Sequence, residues 1–210
     1  MDNRIIKVLE FYKLTARLKD VVREGWKQWH VSAPRVESVA EHVYSSCMLA
    51  IAVHSEFDYD LDIMRVVYML AVHELEETII GDITPFQNQD VKKQGRIAVK
   101  KILAPLKNGA EIEAVIAEFE NGKTWEARFA KWVDKLDAGI QCKLYDMVGH
   151  IDVSDENIDI QRRCNLAGRA EAQGLAGTAF TLSDSWLEYC IESYGFDENF
   201  ISLARGARKL

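Results

Sequence analysis

The chain has 210 residues, of which 48% are apolar and only 3 are proline, enough material for a substantial core with few helix breakers. Its formal net charge is -7, and no basic run is longer than Lys92-Lys93, Lys100-Lys101 or Arg162-Arg163, which argues against duplex DNA or RNA as a partner. No stretch approaches the ~18 uninterrupted apolar residues of a membrane span, and Cys47, Cys142, Cys164 and Cys190 form no C-x-x-C pair, so the expectation is reduced thiols in a cytoplasmic protein without a thiolate zinc site.

In chain order, residues 4–17 put Ile5, Leu9, Tyr12 and Ala16 on one helical face. Residues 21–37 read as an irregular segment with Gly25 and Pro34, dense in the rings of Trp26, Trp29 and His30. Ser38-Val39-Ala40-Glu41 is a capping-box pattern that opens a helix running to about Phe57. Asp60 or Asp62 caps the next helix, whose stripe is Ile63, Val66, Val67, Leu70 and Ala71; it is expected to end near Gly81, ahead of Pro85. Residues 88–103 and 110–120 read as helices separated by Pro105 to Gly109. A long helix is expected over 125–148, with Phe129, Trp132, Val133, Leu136 and Ile140 at helical spacing, and two more over 156–173 and 183–206. No sustained two-residue alternation suggests a strand. The expectation is an all-α fold in a single domain over residues 1–210.

Three places could carry chemistry. His42 lies one turn into the capped helix. His73-Glu74-Leu75-Glu76-Glu77, followed by Gly81-Asp82, gathers one imidazole and four carboxylates at the end of an apolar helix. Residues 73 and 77 are four apart, so a continuous helix would put them on one face, where carboxylates repel unless a cation sits among them. Imidazole and carboxylate together suit a first-row divalent metal, although a solvated acidic helix end is the commoner use of such a turn. Asp134 and Asp137 lie in the long helix, beside Lys131 and Lys135, which could make them an ordinary ion-paired face. His30, His54 and His150 have no matching partners.

Taken together, the pieces resemble the HD superfamily of metal phosphohydrolases, and within it the HD-domain 5′-deoxynucleotidases. The motifs are Arg23-Glu24-Gly25-Trp26, Glu37-Ser38-Val39-Ala40-Glu41-His42, Leu70-Ala71-Val72-His73-Glu74-Leu75-Glu76-Glu77, Gly81-Asp82 and Val133-Asp134-Lys135-Leu136-Asp137, in order over about residues 10–150. The resemblance implies a helical bundle of about eight to ten helices. It also implies one divalent ion (Co, Mn, Zn, Ni, Fe or Mg) on His42, His73, Glu74 and Asp134. Glu77 and Asp82 would be the catalytic acids, with Arg23 on the substrate phosphate, and Trp26 and Asp82 against the sugar. The implied reaction is hydrolysis of the 5′-phosphate of a deoxynucleoside monophosphate. A departure is Glu74, one methylene longer than the family's aspartate. It keeps two alternatives open: action on another nucleotide, such as a triphosphate or signalling nucleotide, and a degenerate site that only binds nucleotide. The surface potential of Trp125, Trp132 and Trp186 suggests a homodimer.

Overall fold

The computed structural model describes residues 2–82, 91–151 and 181–210, apart from residues 33 and 35. Every regular element among them is helical, as the sequence predicts; the only β-type pairings among them are the isolated bridges Val22 to Ser38 and Val31 to Ile151. The chain divides into two compact units, Met1–Glu24 with Glu37–Lys131, and Gly25–Val36 with Trp132–Leu210. Among the described residues no helix is long and apolar enough to cross a membrane.

The first unit opens with α1 (Asn3–Thr15), whose first turn is capped by the Asp2 carboxylate accepting from the Arg4 N–H. The helix forms where its periodicity predicts, but none of its residues is buried, and Ile5, Leu9 and Tyr12 are more than half exposed. A 3₁₀ turn (Ala16–Lys19) then buries Leu18. The strand-like stretch around Val22 is clamped to residues 37–39 by Arg23 N–H to Glu37 O at 3.0 Å and Val39 N–H to Val21 O at 2.8 Å.

Helix α3 is reached after the short α2 (Glu24–Gln28) and spans Val39–Glu56. Both arms of the predicted capping box are present: Ser38 N–H donates to Glu41 Oε2 at 2.8 Å, and Glu41 N–H donates to Ser38 Oγ at 3.3 Å. Helix α4 (Ile63–Val72) is capped by Asp62, which accepts from Arg65 N–H at 3.1 Å. It packs against α3 and later against α7.

The expected continuation of α4 to Gly81 does not occur. The helix stops at Val72, the chain passes through i to i−3 turns (Leu75 N–H to Val72 O, Glu77 N–H to Glu74 O), and a single turn, α5 (Glu77–Ile80), ends at Gly81 with φ +77°. The tighter winding re-aims the acidic residues, so the four-residue spacing of His73 and Glu77 is not a shared helical face. Pro85 and residues 88–90 lie outside the described residues. Helices α6 (Val91–Leu103) and α7 (Gly109–Asn121) pack on each other. The turn between them is so close that a Cβ on Gly109 would lie 2.1 Å from Leu103 O.

Helix α8 (Trp125–Met147) is one uninterrupted rod that begins in the first unit and ends in the second. Phe129, Val133 and Leu136 are fully buried along it. In the second unit, Trp26, Trp29, Cys142 and Tyr145 form a buried cluster flanked by Val31, Val36, Ile151, Leu182 and Trp186. The predicted helix over 183–206 is two helices, α9 (Leu182–Tyr194) and α10 (Glu198–Ala207). Gly195 in the left-handed region ends the first, and Asp197 caps the second through Phe200 N–H at 2.9 Å. The helix expected over 156–173 lies outside the described residues, as does Cys164; Cys47, Cys142 and Cys190 form no disulfide.

Candidate metal centre

His42 is in the first turns of α3, fully buried, because the capping box starts the helix at Val39 and turns position 42 inward with Ser46, Ala50 and Val53. His73 is the residue on which α4 ends. The two imidazoles have centroids 5.8 Å apart at an interplanar angle of 60°, and the His73 ring also rests on Phe119 at 4.9 Å.

The tautomer of His73 follows from its surroundings. Its Nδ1 lies 2.7 Å from the carbonyl of Leu70, an acceptor only, so Nδ1 carries a proton and Nε2 is the ring nitrogen left to face a cation. That Nε2 is 3.4 Å from Oε1 of Glu74. A neutral imidazole nitrogen and a carboxylate oxygen at this separation are two donors of the kind a divalent cation takes.

Asp134 is buried on α8, with Oδ2 2.8 Å from Lys135 Nζ, while Lys131 donates to the carbonyl of Glu120. Within the first unit, His42, His73 and Glu74 each offer a ligand atom, and these atoms all lie within 4.8 Å of one another. Ligand atoms at ~2.1 Å from one ion are roughly 3–4 Å apart, so these three fit a single divalent ion with slight contraction. Asp137, also buried, lies one turn beyond Asp134 on α8. Glu37, for which the motif implies no role, is buried just ahead of the Ser38 cap.

Around these donors the electrostatics are strongly negative. Burial pushes the Glu77 carboxyl up to about 11, with the charges of Glu74 and Asp82 adding to the effect and Arg23 opposing it. Burial and then the Glu74 charge push Glu76 up to about 7. Glu77 Oε2 is buried and makes no hydrogen bond to the described residues. Such a gathering of carboxylates at the base of two imidazoles is stabilised by positive charge.

Arg23 supplies some of that charge. Its Nη1 is 3.4 Å from Glu74 Oε1, the oxygen that also faces His73, and the arginine side chain stays 18% exposed. Asp82 accepts a short hydrogen bond from the Glu24 N–H, which ties the end of α5 to the start of α2. Trp26 is only 6% exposed and meets Tyr145 edge-on at 5.2 Å, so most of its indole is core. Trp125, Trp132 and Trp186 are each half-buried, the last two in aromatic clusters with Phe196 and Phe200, and with Trp29 and Tyr189.

The family model described as HD domain matches residues 15–173. The 5′-deoxynucleotidase HDDC2 of Dictyostelium discoideum is 31% identical over 153 residues, 68% of this chain and 79% of that protein. The protein of the same name from Homo sapiens is 31% identical over 148 residues, 68% of this chain and 70% of that protein. Among solved structures, a predicted metal-dependent phosphohydrolase from Magnetospirillum magnetotacticum MS-1 superposes with a TM-score of 0.64 at 21% identity, covering 99% of this chain and 92% of that one, which is a likeness of fold.

Proposed function

The chain belongs to the HD-domain family and, within it, to the 5′-deoxynucleotidases, and on that premise we propose that it removes the 5′-phosphate of deoxynucleoside monophosphates, using His42, His73, Glu74 and Asp134 to hold one divalent ion. It is a metal-dependent phosphomonoesterase. The observation that carries the ligand assignment is His73: its Nδ1 proton is committed to Leu70 O, and its Nε2 faces Glu74 with His42 alongside.

A divalent ion bound there supplies Lewis acidity and a water of lowered pKa. The side chains supply the rest. Arg23, half-screened and ion-paired to Glu74, presents a guanidinium suited to the non-bridging oxygens of a phosphate. Glu77 takes the proton of the attacking water; its buried Oε2, without a hydrogen bond to the described residues, suits that task. Asp82 holds Glu77 in place and anchors the Glu24 N–H, next to the arginine. Trp26, carried on the same Arg23-Glu24-Gly25-Trp26 element, would wall the sugar and leave no room for a 2′-hydroxyl.

The test is phosphate release from deoxy- and ribonucleoside monophosphates, and from the matching triphosphates, with Mn, Co, Ni, Zn or Mg added. Orthophosphate from the deoxy monophosphates, well ahead of the ribo series, is the expected result. Release only from triphosphates would move the substrate class. Silence with every metal would overturn the assignment.

A further inference from the structure

Helix α1 turns an apolar side outward. Ile5, Val8, Leu9 and Tyr12 are 51% to 63% exposed, and their three- and four-residue spacing puts them on one side of the helix. The opposite side, with Lys7, Phe11 and Leu14, is the half-buried one. Arg4 and Lys13, both exposed, border the apolar stripe on its two edges, and Glu10 lies further round. Arg4 is paired with Asp2, the residue that caps the helix. Beyond Lys13, the 3₁₀ turn adds Arg17 and Lys19, both exposed. Residues 2–20 hold five cations (Arg4, Lys7, Lys13, Arg17, Lys19) against three carboxylates, in a chain of net charge -7.

We infer that this face docks on an anionic lipid bilayer, with α1 lying in the plane of the headgroups and its apolar stripe sunk among them. The arrangement of side chains selects that occupant. A helix that rests in the interface needs an apolar stripe with cations beside it, whose long stems let the charged ends reach lipid phosphates. At 13 residues α1 is too short to cross the ~30 Å hydrocarbon core and long enough to lie along its surface. Tyr12 adds an apolar ring with a polar tip, which suits the boundary between headgroup and acyl chain. Helix α6 is more basic, with Lys93, Arg96, Lys100 and Lys101 exposed, but its apolar Ala98, Val99 and Ile102 are buried. Helix α1 joins cations to apolar side chains that stay uncovered. Charge also sets the approach. A chain of net charge -7 is repelled by an anionic surface through most of its own, so the locally basic helix is the part that can come first.

The test is co-sedimentation of the purified full chain with vesicles of phosphatidylcholine alone and of phosphatidylcholine with about a third phosphatidylserine, the latter at low and at high salt. Wild type is expected to bind the phosphatidylserine vesicles at low salt at least tenfold more tightly than the neutral ones, and to lose most of that binding at high salt. Leu9→Glu and Tyr12→Glu, which put a charge into the stripe, should each weaken it at least tenfold, with unchanged helical circular dichroism. Lys13→Glu should weaken it severalfold. Ile97→Glu, an exposed apolar position on α6, should bind as wild type does. A wild type that ignores phosphatidylserine vesicles at low salt overturns the inference. So does equal binding to both kinds of vesicle, or binding indifferent to both stripe charges. If a glutamate variant fails to fold, Leu9→Ser and Tyr12→Ser, which only shorten exposed side chains, decide instead: weakened binding supports the face, and unchanged binding removes it. Phosphate release in solution is a separate readout, so failure here leaves the catalytic assignment standing.

Discussion

At the residue scale the assignment turns on which atoms of the histidines and carboxylates remain available to a cation. His73 offers Nε2 because Leu70 O holds its other nitrogen at 2.7 Å. Changing His73 or Asp134 to Ala should abolish metal binding and turnover together, read by elemental analysis and phosphate release; full metal occupancy in either variant would refute the ligand set. Glu77→Gln separates holding from proton transfer. It keeps a hydrogen-bonding side chain in the same place, so metal content should stay near wild type while turnover falls by roughly 10²–10³. Near-normal turnover would pass the proton to Asp82 or to solvent. The sequence singles these residues out because each sits at a fixed offset from a cap or a motif. What was not legible was the sharing of Glu74 Oε1 by His73 and Arg23, each at 3.4 Å. That contact joins residues 51 positions apart. The longer side chain of glutamate helps it reach both, which no local pattern could indicate.

At the element scale, the capping box does more than start a helix. It fixes where α3 begins, and so which residue of the first turns points inward, and that residue is His42. Ser38→Ala removes the acceptor of the Glu41 N–H and should cost about 1 kcal/mol of stability. Because the lost turn carries a ligand, it should also weaken metal binding severalfold. Thermal melts with and without metal check both: an equal loss in the two conditions would mean that the cap stabilises the helix without positioning His42. The capping box was readable from four consecutive residues. The end of α4 was not. Propensity favours continuing a helix through His73 to Ile80, and the i to i−3 winding that replaces it comes from tertiary burial of the carboxylates, with Glu77 at 8% exposure. Similarly, the apolar spacing of α1 correctly predicted a helix but not its burial, since amphipathicity says which face could be covered and not whether anything covers it. The split of α9 from α10 had a visible signal, Gly195 followed by Asp197, that the longer hydrophobic period over 183–206 masked.

For the whole molecule, the acidic centre couples metal, pH and stability. Without metal, Glu76 is raised from 4.5 to about 7 by burial and by Glu74, and Glu77 further, to about 11. Between pH 4.5 and 7 the unfolded chain has lost the Glu76 proton while the folded chain retains it, so the folded state binds more protons and stability falls as pH rises. The contribution is fully present below pH 4.5 and is lost as pH rises through about 7 for Glu76, with Glu77 extending the same slope to higher pH. After chelation, therefore, the midpoint of thermal unfolding should decline from pH 5 to pH 8, in the opposite sense to a protein whose carboxylates are ion-paired. Glu76→Gln should flatten the part of that decline below about pH 7, and Glu77→Gln should lessen the slope across the whole range. Adding a divalent ion at a hundredfold excess over its dissociation constant should restore about 2.7 kcal/mol at fixed pH. The restoration should be larger at pH 8 than at pH 5, because the metal competes with protons for the same negative charge. A metal-independent midpoint, or one that rises with pH in the chelated protein, would show that these carboxylates are neutralised by something other than a bound cation.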